Sequence, residues 1–204
     1  MKYDNQERLN IKTYKNLFKK YGYSYKSLDW GSKNNQLLRF KILSKIGNLN
    51  KKKILDVGCG FGDFYLWLKK KHKKIEYTGI DVVSDMIKEA KRKHKKIKFS
   101  CENILKKKVR LDQKFDYIFA SGIFAYNKKD GNKILKKTIL KMWNLSNKGV
   151  AFNCLSSKCI YKNKNEFYAD PEKVLIFCKK LTPFVKIKEN YLPSDFTVYL
   201  KKNK

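Results

Sequence analysis

The stretch KKILDVGCGFGDF, residues 52–64, decides how the rest of the chain is read. Lysines give way to an apolar run broken by Asp56, and then Gly58, Gly60 and Gly62 alternate with Cys59 and Phe61. The chain has only 10 glycines in 204 residues, so three within five positions mark an unusual backbone. Apolar run, glycines and then a helix-prone segment read as strand, tight turn and helix. Glycines at such a handover let the backbone turn sharply and let a ligand reach the main chain with no Cβ in the way. The expected ligand is flat or extended, and nucleotide-like.

Working outward, strand and helix patterns alternate. A helix is expected over 64–71, a strand over 75–81 and a helix capped by Ser84 running to about His94. A short strand over 96–100, a loop over 104–114, a strand over 114–122, a helix over 130–145 and a strand over 148–155 follow. Asp170 and Pro171 read as N-cap and first residue of a helix that ends before Pro183. VKIKENYL and DFTVYLKK alternate as half-exposed strands; their short connection near Pro193 demands an antiparallel pair. Upstream, 5–21 has helical periodicity, YGYSYKSLDWGS is aromatic and turn-rich, and a second helix starts after Ser32 and ends at Gly47. The order predicts an α/β fold: a Rossmann-like, doubly wound, mostly parallel seven-stranded sheet, an antiparallel C-terminal strand pair and helices on both faces. Residues 1–204 form one domain, with 1–48 as an N-terminal helical lid and 49–204 as the ligand-binding core. Ligands of such sheets bind beyond the C-terminal ends of the strands.

Composition bounds the function. Apolar residues make up 42% of the chain, enough for a packed core. No stretch is apolar enough to span a membrane, and MKYDNQERLN lacks the core of a secretion signal, so a cytoplasmic protein without membrane insertion is expected. Cys59, Cys101, Cys154, Cys159 and Cys178 are odd in number and scattered; they fit neither a disulfide framework nor a zinc site, and no metal site is expected. The net charge is +31, nearly all from lysine, with arginine only at 8, 39, 92 and 110. Lysine, asparagine, isoleucine and tyrosine are what an A/T-rich genome imposes, yet the shortage of acids is not explained that way. A nucleic-acid partner therefore stays open beside the reading of a solvated surface.

The dinucleotide fingerprint wants G-x-G-x-x-G, but here the spacing is G-x-G-x-G, with Asp63 where the last glycine would stand. Asp81, at the end of the second strand in YTGIDVVSDM, suits ribose hydroxyls in either case. Together these segments resemble the class I S-adenosylmethionine-dependent methyltransferases. ILDVGCGFGDF is similar to their first motif and YTGIDVVSDMIKEAK to their second-strand segment, with KFSCENIL and KFDYIFASGIF following as third and fourth. The resemblance spans about 35–201. It implies S-adenosyl-L-methionine as cofactor, with Gly58 and Gly60 under its methionine part, Asp56 and Cys59 bordering it in the same loop, Asp81 on the ribose and Val82 on the adenine face. Where the family carries an acid for the adenine amino group this chain has Asn103, with the Ile104 amide for a ring nitrogen. Ala120 and Ser121 would lie under the sulfonium, and Arg39 would pair with the cofactor's carboxylate.

Methyl transfer from a sulfonium is an in-line displacement that needs alignment and exclusion of water; a base is needed only when the acceptor must lose a proton. The two histidines, His72 and His94, sit in lysine runs and are expected to be exposed. Acceptor-side candidates are Tyr126, Tyr161 and Tyr168, with Tyr21, Tyr23, Tyr25 and Trp30 folding over the cofactor. The fourth strand is followed by SGIF, not by the [DN]PP[FYW] or Pro-Cys signatures of base methylation, and it lacks the Asp of a ribose-methylating set. The expected acceptor is therefore a small molecule or a glycan sugar, with an RNA-directed enzyme as the alternative.

Overall fold

The computed structural model describes residues 5–106, 111, 113–126 and 130–203, so part of the loop expected over 104–114 lies outside them. Seven strands form one sheet in the order β3-β2-β1-β4-β5-β7-β6. They are β1 (Lys53–Val57), β2 (Glu76–Asp81), β3 (Lys98–Cys101), β4 (Phe115–Ala120), β5 (Ser146–Leu155), β6 (Val185–Lys188) and β7 (Asp195–Lys201). All neighbouring pairs are parallel except β5–β7 and β6–β7. The doubly wound sheet expected from the alternation is what the chain forms.

The described residues form six α-helices around the sheet: α1 (Asn5–Tyr21), α2 (Lys33–Leu43), α3 (Asp63–Lys71), α4 (Ser84–Lys93), α5 (Gly131–Leu145) and α6 (Pro171–Lys179). Short 3-10 turns cover Tyr25–Leu28 and Ser44–Ile46. Strand alternation sorts the core into two layers. Ile54, Tyr77 and Phe119 face Phe40, Phe64 and Ala90 of α2, α3 and α4. Leu55, Val57 and Ile118 face Leu135, Ile139 and Val174 of α5 and α6.

The helix ends follow local chemistry. The Ser32 hydroxyl accepts from the Asn35 amide at 3.1 Å and starts α2. Asp170 accepts from the Glu172 and Lys173 amides with Pro171 inside the first turn of α6, as the sequence indicates. The cap of α4 differs: Val83 holds the cap position and Ser84 is already helical. The Val83 amide donates to Asp81 at 2.9 Å, which ties the strand-end acid to the residue that opens α4, and no side chain caps the first-turn amides. Lysines crowd the last turns of α3 and α4, where they meet the negative end of the helix dipole.

The segment read as a lid divides in two. Phe40, Ile42 and Leu43 of α2 are buried against the sheet, whereas α1 and the turn after it run across the C-terminal strand ends. Register brings the ends of β1, β2 and β4 level: Val57 pairs with both Ile80 and Ala120.

Candidate active site

The glycine loop leaves β1 and is tied at once to β2, because the amides of Gly58 and Cys59 both donate to the Ile80 carbonyl, at 2.8 and 3.0 Å. Gly58 and Gly60 hold φ of +74° and +53°, the left-handed region that favours glycine. A Cβ on Gly58 would meet Ile123 at 2.2 Å, and one on Gly60 would meet Leu28 at 2.7 Å. Both glycines therefore serve the turn and the close approach of neighbouring loops.

Two buried carboxylates frame the loop. Asp81 accepts from the Gly60 amide through one oxygen and from the Val83 amide through the other, both at 2.9 Å. A carboxylate has about four lone-pair positions, so Asp81 can still receive hydroxyl donors. Burial raises its pKa and the amide bonds oppose the rise. Asp56 accepts from the Tyr77 phenol, and burial pushes its pKa up to about 7, with the phenol pulling it down and the Asp81 charge adding to the rise.

A cavity of about 210 Å³ opens over these groups. Asp56, Gly58, Cys59, Gly60, Asp81, Val82, Asn103, Ile104 and Ser121 all line it, so the sequence brings them to one place. Ala120 does not; it is fully buried at the end of β4, while Val57 and Gly122 reach the wall. Asn103 is already engaged: its amide nitrogen donates to Glu7 at 2.6 Å and its carbonyl accepts from the Leu105 amide at 2.7 Å. Glu7, Asn10 and Tyr14 of α1 close one side, with Leu28 and Trp30 from the following turn. Asp63, where a third fingerprint glycine would stand, accepts from Tyr23 and Gln36 and holds the lid turn and α2 to α3.

A second cavity of about 220 Å³ adjoins the first and shares Tyr14, Leu28, Trp30, Gly122 and Phe124 with it. Here the structure places Arg39. Its guanidinium pairs with Asp195 at the start of β7, lies 4.6 Å from the Trp30 ring and leaves Nη1 buried without a hydrogen-bond partner among the described residues. It does not line the glycine cavity, where pairing with a cofactor carboxylate was expected. Tyr126, Tyr161 and Tyr168 also line the second cavity, together with Asp29, Glu166 and Asn153. The Tyr126 phenol donates to Asp29 and the Tyr168 phenol to Glu166, the latter at 2.6 Å. Burial, then the carboxylate neighbour, raises both phenols. Tyr161 is 88% exposed and stands at the rim. The Asn153 carbonyl accepts from the Gly122 amide at 2.8 Å and fixes the partition between the cavities.

Several wall residues escaped the sequence reading. Glu7 and Asp29 belong to the lid segment and meet Asn103 and Tyr126 from 96 and 97 residues away, a separation no local pattern reveals. Asp29 does carry one signal: it takes φ +54° after the 3-10 turn, and an acid next to a Trp-Gly pair suits such a position. The expectation of exposed histidines fails. His72 and His94 are both partly buried; His94 packs on Tyr65 and Phe99, and burial lowers the pKa of each. Neither lines either of these two cavities. Of the aromatic lid cluster, Trp30 lines both cavities, Tyr23 packs on Phe61, and Tyr21 lies at the surface beside Lys20.

Known proteins place this geometry. Residues 54–140 match the family described as a methyltransferase domain. The protein named "Putative methyltransferase Rv1506c" of Mycobacterium tuberculosis is 30% identical over 159 residues, covering 73% of this chain and 92% of that one. Magnesium protoporphyrin IX methyltransferase of Synechocystis, solved with bound S-adenosylmethionine, superposes with a TM-score of 0.68 at 12% identity over 100% of both chains. An S-adenosylmethionine-dependent methyltransferase of Clostridium acetobutylicum does so with a TM-score of 0.62 at 15% identity, over 94% of this chain and 98% of its own. At those identities the superpositions establish the fold, and the sequence matches carry the relationship. With strand order, glycine loop and strand-end acid in agreement, the chain belongs to the class I S-adenosylmethionine-dependent methyltransferases.

Proposed function

We propose that the first cavity holds S-adenosylmethionine and the second holds the methyl acceptor, a small molecule or a sugar of a glycan. The observation that carries this is the sorting of charge. Among the described residues, five acids and no lysine or arginine line the first cavity, and three acids with Arg39 alone line the second. This occurs in a chain with 49 basic and 18 acidic residues. A cationic sulfonium suits the first cavity. A phosphate chain entering the second would face Asp29, Glu166 and Asp195 with one guanidinium that Asp195 already holds, so a small uncharged or cationic acceptor is favoured over RNA.

The residues present fit the cofactor. Asp81 has acceptor capacity for ribose hydroxyls, Val82 and Met86 offer an apolar wall for a purine, and the Gly58–Cys59–Gly60 turn, its amides already bonded to Ile80 and Asp81, lines the cavity where the amino-acid part would lie. Bound there, the cofactor supplies an electrophilic methyl group on a sulfur that leaves as a neutral thioether. The protein's share is placement. Ser121, Gly122 and Asn153 shape the passage between the cavities, while Leu28 and Trp30 cover it against water. Where the acceptor is a hydroxyl or ammonium, Asp29 behind Tyr126 and Glu166 behind Tyr168 are carboxylates placed to take a proton through the phenols. Residues before Ser32 then act as the lid, and the core spans the remainder.

The test is methyl transfer from tritium-labelled S-adenosylmethionine to cell extract split into small-molecule, glycan and RNA fractions. Label entering the small-molecule or glycan fraction supports the reading; stoichiometric label in one RNA species overturns it.

A further inference from the structure

Asn103 stands where an acid was expected to receive the adenine amino group, and the structure shows that its own amide cannot easily take over that role. One end of the amide is fixed by a backbone donor, since the Leu105 N–H lies 2.7 Å from Oδ1. That assignment leaves Nδ2 as the other end, and it donates to Glu7 at 2.6 Å. The amide orientation is thus set from both sides: a peptide N–H needs an acceptor and a carboxylate needs a donor. Asn103 presents a donor toward the cavity-facing neighbour, and the acceptor there is the Glu7 carboxylate, which lines the same cavity.

We infer that Glu7, carried in by α1, receives the amino group of the cofactor's adenine, with Asn103 acting as the residue that positions its carboxylate. The inference rests on the placement of S-adenosylmethionine in the first cavity, with Asp81 marking the ribose and residues 102–105 the purine end. Glu7 and Tyr14 lie seven positions apart, two turns on one face of α1, and both line the cavity. Reading the base would therefore dock the helix as well. Glu102 is the competing acid, since it also lines the cavity. The arrangement makes the base contact conditional on the lid, whereas an acid at position 103 would make it part of the sheet.

The experiment compares two neutral ligands by calorimetry: S-adenosylhomocysteine and its deaminated analogue S-inosylhomocysteine, which bears a carbonyl oxygen in place of the amine. The wild-type chain should prefer the adenine ligand by tenfold or more, because a carboxylate accepts from an amine and repels a carbonyl. Glu7→Gln, whose amide can donate as well as accept, should lose about tenfold for the adenine ligand, gain for the hypoxanthine ligand and so collapse the ratio. A residue that merely tethers α1 would weaken both ligands equally and leave the ratio intact, which overturns the inference. Collapse of the ratio in Glu102→Gln, with Glu7→Gln unaffected, overturns it too. Failure of the wild-type chain to bind either ligand would sink the cofactor placement itself, which is a different result from an unchanged ratio.

Discussion

Asp81 is a clamp before it is a ligand group: it joins the glycine loop to the start of α4 through two amide bonds. Asp81→Ala should weaken S-adenosylhomocysteine binding by tens-fold or more, since hydrogen bonds to a charged group are worth about 1.5–3 kcal/mol each. Calorimetry beside circular dichroism checks it; a folded variant that binds normally refutes the ribose role. Asp56 makes a prediction about pH. Its ordinary pKa is 3.8 and its folded value is raised to about 7, mainly by burial. Between those values the folded chain keeps a proton that the unfolded chain has released, so this group makes stability fall as pH rises from about 4 to about 7. Denaturant titrations across that window should show a slope that is shallower in Asp56→Asn than in the wild type. These residues were legible because glycines, Asp56 and Asp81 lie within two adjacent βα units, where spacing alone fixes who meets whom. Arg39 was legible as unusual but not as to its partner. Asp195 lies 156 positions away in sequence, on the strand that closes the sheet, and only the antiparallel pairing of β7 with β5 brings its first residue to α2.

At the scale of elements, the turn after α1 is held across long sequence distances. Tyr23 donates to Asp63, Tyr126 donates to Asp29, and Tyr14 meets Tyr126 edge-on with centroids 5.6 Å apart. Asp29→Gly removes one of these carboxylates without opposing the positive φ at that position. Hydrogen exchange should then speed up by about tenfold at the amides of residues 23–31, with β1 and β4 unchanged. Equal protection in both proteins would show that the Tyr126 bond does not hold the lid. Strands and helices were readable nearly throughout, but of the two strands expected to be half-exposed only β6 alternates; β7 is buried along nearly its whole length because it lies between β5 and β6. In the lid segment the helix over 5–21 was legible and forms as Asn5–Tyr21, but its docking was not, since α1 packs through aromatic contacts with Phe61 and with the β4–α5 loop. The cap of α4 was misread by one residue: Ser84 is already helical, and Val83, held by Asp81 through its amide, occupies the cap position without a side-chain acceptor.

Across the whole molecule, a chain of net charge +31 lines its two cavities, among the described residues, with eight acids, no lysine and one arginine. Non-specific RNA should therefore bind only to the exterior, with an affinity that collapses steeply as salt rises. RNA should also leave S-adenosylhomocysteine binding unchanged at physiological salt; a fluorescence competition titration reads both, and displacement of the ligand by RNA would contradict the sorting. Charge totals were plain in the sequence, but their segregation was not, because it depends on which faces turn inward. The antiparallel strand β7 has one more consequence, in time rather than space. Every residue lining the first cavity precedes β5, the last being Thr138, whereas the second cavity waits for Asn153, Glu166 and Asp195. On a ribosome adding about 5–20 residues per second, that gap lasts several seconds. A nascent chain thus carries the complete lining of the first cavity well before that of the second is finished.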